Sequence, residues 1–152
     1  MIWQAYISPK FTFILWLGIR ERLSTRDRLA FRQEKTSCSS CINISESAKH
    51  LFFDCPFSER VWSDIRKWLG INSHMSTILS AIKWLKKEKT GSSVQNKARL
   101  LALACTVYSL WRHRNEVIFE AKVPSTKGLV IFTKITVFGM LLFFFPQEIF
   151  AL

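Results

Sequence analysis

The chain has 152 residues, the length of one ordinary domain and enough to bury a core. Half of it is apolar and it carries six tryptophans, which excludes a disordered chain; its four cysteines are too few for a secreted disulfide scaffold of this size. A formal net charge of +11 favours polyanionic partners, nucleic acid or an anionic membrane surface, against the plainer reading of general solubility.

In chain order the elements read as helices. The apolar N-terminus lacks a basic leader and a small-residue cleavage site, so it is not read as a signal peptide. Ser8-Pro9 predicts a helix start, with Phe11, Ile14, Leu15, Gly18 and Ile19 following at helical spacing. "STRDRLAFR" predicts a second, short helix capped by Ser24, with Asp27 three places on. "CPFSERVWSDIRKWLGI" is the clearest helix: Cys55-Pro56 opens it, Gly70 ends it, and Val61, Trp62, Ile65, Trp68 and Leu69 form its stripe. Ile78, Leu79, Ile82 and Leu85 predict a shorter helix. After Gly91-Ser92-Ser93 a long one runs from about Val94 to Phe119, with Leu100, Leu101, Ala104, Val107, Tyr108 and Trp111 facing the core. No sustained period-2 pattern occurs in the first 120 residues. The expected architecture is all-α: a small helical domain built around a zinc-knuckle-like loop over 1–70, a helical extension over 71–120 packing on it as a hairpin, and an atypical apolar tail over 121–152.

Three of the four cysteines and one histidine crowd into "CSSCINISESAKHLFFDC". Cys38, Cys41, His50 and Cys55 have the spacing C-x2-C-x8-H-x4-C. Structural zinc takes four such ligands, typically one tight pair from a turn and a second pair from another element. With all four positions filled by protein, one structural Zn2+ is expected and no site remains for a catalytic water. The competing reading is a reduced cysteine cluster with His50 a surface residue beside Lys49.

The same residues resemble a known family, the zinc-binding domain at the C-terminal end of reverse transcriptases from plant non-LTR (LINE-type) retrotransposons. Trp3, "SPKFTFILWLGIRERLSTRDRL", "CSSC" and "ESAKHLFFDCPFSERVW" carry the resemblance over residues 3–70, and "LWRHRNEVIF" (110–119) is similar to the run that commonly follows. The resemblance places Cys38, Cys41, His50 and Cys55 on the family's ligands, and Trp16, Leu23, Thr25, Leu29 and Trp62 on its structural positions. Ser24 stands where many members have proline. It implies a module that accompanies a polymerase domain gripping RNA or DNA.

No enzyme is expected. The three aspartates, Asp27, Asp54 and Asp64, are all isolated, so the adjacent pair that a polymerase needs for two metal ions is missing. No glycine-rich phosphate loop or nucleophile elbow appears, and no small-molecule substrate is expected. Candidate nucleic-acid contacts are Arg20, Arg22, Arg26, Arg28 and Arg32 before the zinc loop, Lys83, Lys86 and Lys87 (with Lys89) in a second cluster, and Arg112 with Arg114 in a third; Trp3 and Phe31 are candidates for stacking on bases. The alternative is a structural or protein-interaction relic whose charges form a solvated rim. The expected location is intracellular, nucleus or cytoplasm. The 129–145 segment holds Lys134 and is at the short limit for a span, so a membrane partner is not expected; the tail reads as sequence running past the domain.

Overall fold

The computed structural model describes residues 2–29, 35–88 and 91–151. Arg32, Phe31 and Lys89 lie outside them. The described residues form six α-helices, α1 (Pro9–Ile19), α2 (Pro56–Leu69), α3 (Ile78–Lys87), α4 (Ser93–Glu120), α5 (Thr126–Phe144) and α6 (Pro146–Phe150), with a single π-helical turn (His50–Asp54) ahead of α2 and no strand.

Local sequence sets most of the ends. Pro9 and Pro56 occupy the first positions of α1 and α2, where a missing N–H costs nothing. Gly70 closes α2 at φ 65°, and the Ile71 N–H returns to the Arg66 carbonyl. Reciprocal capping boxes start α3 (Thr77 with Ser80) and α4 (Ser92 with Gln95).

The α4 helix is the axis of the fold. It packs against α1, α2, α3 and α5, so every residue from Leu100 to Val107 is buried. The sequence pattern predicts a one-sided core face; with neighbours on several sides, the middle of α4 is covered all round, while Tyr108 and Trp111 stay half-buried at its edge. Lone Cys105 is fully buried here, and burial pushes its thiol up to about 11.

Two further expectations are corrected. Residues 24–29 form hydrogen-bonded turns and no helix: the Thr25 hydroxyl bonds the Asp27 carboxylate at 2.5 Å and the Asp27 N–H is drawn to the Glu46 carbonyl at 3.1 Å. Tertiary pairing with the loop ahead of α2 outcompetes the short helix. The apolar tail, in turn, does not trail off the domain. Ser125 caps α5, which buries Leu129, Val130, Thr133, Val137 and Leu141 and packs on α4 and α2. The Lys97–Glu148 ion pair at 2.9 Å and the edge-on Tyr6–Phe145 contact hold its end. Among the described helices α5 is also the one long and apolar enough to cross a membrane.

One polar cluster lies inside this apolar frame. Glu46 is completely buried, and Arg114 from α4 reaches it with Nη2 at 2.7 Å and Nε at 3.1 and 3.2 Å from its two oxygens. The Arg26 backbone N–H donates to the same carboxylate at 2.9 Å, while Arg114 also donates to the Ser24 carbonyl and to Asn115. The pair therefore ties α4 to residues 24–27 and to the loop that precedes His50.

Removing one partner of a buried pair strands the other charge, at a cost of about 3–5 kcal/mol. Glu46→Ala and Arg114→Ala should each lose about that much stability in urea unfolding, and the double variant should lose clearly less than the sum.

Candidate metal centre

The centre is assembled from two short pieces of backbone. The first is a hairpin: Glu46 N–H donates to the Thr36 carbonyl at 2.8 Å and Cys38 N–H to the Ile44 carbonyl at 2.7 Å, around an antiparallel Ser37–Ser45 bridge. Its tip is closed by the Ile42 N–H on the Cys38 carbonyl, with Ile42 held at φ 67°, a left-handed conformation that a β-branched residue rarely adopts. This turn brings Cys38 and Cys41 to one side.

The second piece is the π-helical turn. Ser47 starts it, accepting the His50 N–H on its hydroxyl and the Leu51 N–H on its carbonyl. The Cys55 N–H then closes back on the His50 carbonyl at 2.8 Å, one residue wider than an α-turn. Cys55 is at once the end of that turn and the residue before α2. Leu51, Phe52 and Phe53 are buried between the two ligand positions. Trp62 on α2 locks the turn from below: its Nε1–H donates to the Phe52 carbonyl at 2.5 Å, its ring stacks on Phe53 at 5.4 Å, and the Ser58 hydroxyl donates to the Leu51 carbonyl.

One ligand atom from each of Cys38, Cys41, His50 and Cys55 then lies within 4.8 Å of the others. Cys38 Sγ to Cys55 Sγ is 3.9 Å and Cys41 Sγ to His50 Nε2 is 3.3 Å. The edges of a tetrahedron with Zn–S about 2.3 Å and Zn–N about 2.0–2.1 Å are roughly 3.5–3.8 Å. A disulfide would need about 2.05 Å, and all the cysteines are free. The donor set, its spacing and its burial fit one structural zinc ion.

The surroundings favour a thiolate at Cys38. A hydrogen bond from Cys55 holds the Cys38 thiol down to about 5 against the opposing effect of burial, helped by the N–H groups of Cys41 and Ser40. Cys55 is pushed up as the partner that keeps the shared proton, although the N–H groups of Phe57 and Ser58 at the start of α2 pull the other way. A divalent cation held by Cys38, Cys41, His50 and Cys55 would take the place of that proton. His50 is 5% exposed, so it is not the surface histidine of the competing reading.

The candidate cationic residues divide differently. Arg20, Arg22, Arg28, Lys83, Lys86 and Lys87 are exposed. Arg112 is exposed but paired with Glu116 at 2.8 Å and set over the Phe132 ring. Arg26 is half-buried, its guanidinium donating to the Ser37 carbonyl at 2.6 Å, which makes it a strut of the zinc hairpin. Arg114 is the plain correction: 5% exposed and committed to Glu46, it has no surface to offer a phosphate. Glu46 stands four residues before His50 in the "ESAKH" run, but a lone glutamate has no spacing signal to reveal a partner 68 positions away.

Apparent binding energies of roughly 10–16 kcal/mol for structural zinc exceed the stability of many whole domains. The purified chain should hold one zinc, measured by native mass spectrometry, and His50→Ala should lose it. Because protons compete for the ligands, zinc content should fall as pH is lowered. Chelation should also change Trp62 fluorescence, since its partners sit in the π-helical turn.

Residues 1–62 match the family described as zinc-binding in reverse transcriptase. No curated protein and no solved structure matches the chain. The matched stretch runs from the N-terminus through the hairpin, the π-helical turn and the ligand cluster to Trp62. This first part of the chain is thus similar to zinc-binding domains of the reverse-transcriptase type, and its Cys3His cluster is suited to one structural zinc.

Proposed function

We propose that the chain is a retroelement-derived module in which Cys38, Cys41, His50 and Cys55 ligate one structural zinc, and that it binds RNA or DNA as a non-catalytic accessory to a reverse-transcriptase polymerase domain. The observation that carries the reading is the match of residues 1–62 to reverse-transcriptase zinc-binding domains, in a chain of net charge +11. The exposed cations support it. Gly18 of α1 packs so close to Ile78 of α3 that a β-carbon there would lie 2.5 Å from the Ile78 Cδ1. Arg20 and Arg22, just past the end of α1, and the lysines of α3 therefore stand on neighbouring elements, with Arg28 on the turn that follows. Trp3, 58% exposed, adds a flat surface for stacking on an unpaired base.

Zinc acts at a distance in this reading. It fixes the hairpin and the π-helical turn, and through the Glu46 carbonyl it fixes residues 24–28, so the ion positions arginines without touching the ligand. Contacts of this kind are to phosphate and largely blind to sequence.

Fluorescence anisotropy with labelled single-stranded RNA and duplex DNA, repeated across a series of salt concentrations, tests the proposal. Affinity should fall steeply with salt. The charge reversals Arg20→Glu, Arg22→Glu and Arg28→Glu together should weaken binding and flatten the slope of log K against log salt by roughly 0.7–0.9 per lost phosphate contact. Equal affinity in the reversed variant, with zinc content intact, would favour the structural relic instead.

A further inference from the structure

The outer face of α5 has no role in the zinc module, and among the described residues it stays largely exposed. Its inner stripe is buried on α4 and α2, yet the opposite side is just as apolar: Ile131 is 57% exposed, Ile135 66%, Phe138 53% and Phe143 79%, with Phe132 and Phe144 beside them. A helix that is apolar all round is ordinarily covered all round. We propose that this face is the docking surface for a second copy of the same chain, through two-fold antiparallel pairing of α5 with α5.

Three observations select that occupant. The first is spacing. Ile131, Ile135, Phe138 and Leu142 recur at intervals of four, three and four, the 3.5-residue period of a seam that packs against another helix. Beside the seam, Gly139 is exposed and an added β-carbon would meet no atom within 4 Å, which leaves room for a partner's side chain. The second is area. At roughly 150–250 Å² per aromatic side chain and slightly less per isoleucine, the exposed parts of these residues amount to about 600 Å² per chain. A symmetric pair would bury about 1,200 Å², the lower edge of a standard interface, so the dimer should be of modest affinity. The third is charge. In a chain of net charge +11 the only charged residues on α5 are Lys127 and Lys134. Lys134 lies over the Trp68 ring, 5.7 Å away and off the seam. Lys127 stands in the first turn, and the last turn of α5 has no basic residue, so antiparallel pairing sets Lys127 against the partner helix's negative end. An anionic lipid surface would instead be met by unpaired cations along the flanks of the apolar face; Lys134 lies over Trp68, and Arg112, set over Phe132, is paired with Glu116.

Sedimentation velocity of the zinc-loaded full chain, over roughly 1–100 µM, reads the pairing directly. The mass should rise with concentration from one chain to two and stop there. Ile135→Glu should shift the midpoint at least about tenfold upward. Gly139→Leu should do the same; its β-carbon would meet no atom within 4 Å, and circular dichroism reports any folding defect. Leu79→Glu, an equally drastic change at an exposed apolar position of α3, should leave the dimer intact. Circular dichroism and zinc content are followed in every variant. A monomer throughout, growth past two copies without a plateau, or a dimer indifferent to both α5 variants would each overturn the proposal. So would a monomer that floats with phosphatidylcholine–phosphatidylserine vesicles unless Ile135→Glu is present, which would assign the face to lipid.

Discussion

A carboxylate sealed completely from water dictates much of this architecture. Glu46 carries its charge in the interior, where an unpaired ion costs several kcal/mol, so the fold is admissible only with a cation brought to it. That cation comes from α4, 68 residues further on, and with it come the carbonyl of Ser24 and the backbone N–H of Arg26. With Arg114 elsewhere, the observed hairpin would bury an unpaired carboxylate. The centre and the long helix are thus energetically one unit, although the family match ends at Trp62 and leaves α4 outside it.

Zinc and the ion pair divide the labour. The ion draws together two backbone pieces too small to hold a shape alone: a hairpin whose tip stores strain at Ile42, and one turn of π-helix. The ion pair then fastens those pieces to the helical body. Trp62 and Ser58 complete the attachment from α2 by bonding carbonyls of the widened turn. The apolar "LFF" between two ligands serves the same end: its side chains are buried against the helices while the residues at its ends turn toward the metal.

The tail shows how packing changes the meaning of composition. As a linear segment, 129–145 is too apolar for a solvated chain and marginal for a membrane span. Folded, it divides by face: one stripe completes the cover of α4 and α2, while the other stays largely exposed among the described residues. The same helix can close a core and offer an interface because its two faces answer to different partners.

Local chemistry was legible in the sequence where it acts locally. Proline at a helix start, glycine at φ 65° after α2, apolar stripes at helical spacing and four ligands at metal-binding intervals each depend on residues a few places apart, so α1, α2, α3, α4 and the Cys3His cluster could be read directly. The turns at 24–29 could not, because a helix-forming run was overruled by a backbone bond to Glu46, twenty residues away in the chain. Nor could the fate of Arg114. One arginine among 22 basic residues reads as surface charge until a buried carboxylate is found opposite it. Spacing shows which atoms share a turn or a helix face, and so the sequence by itself determined α1 to α4 and the candidate metal ligands. Which charges are spent inside, and which apolar faces remain free, depends on contacts between distant segments, and only the tertiary structure decided those.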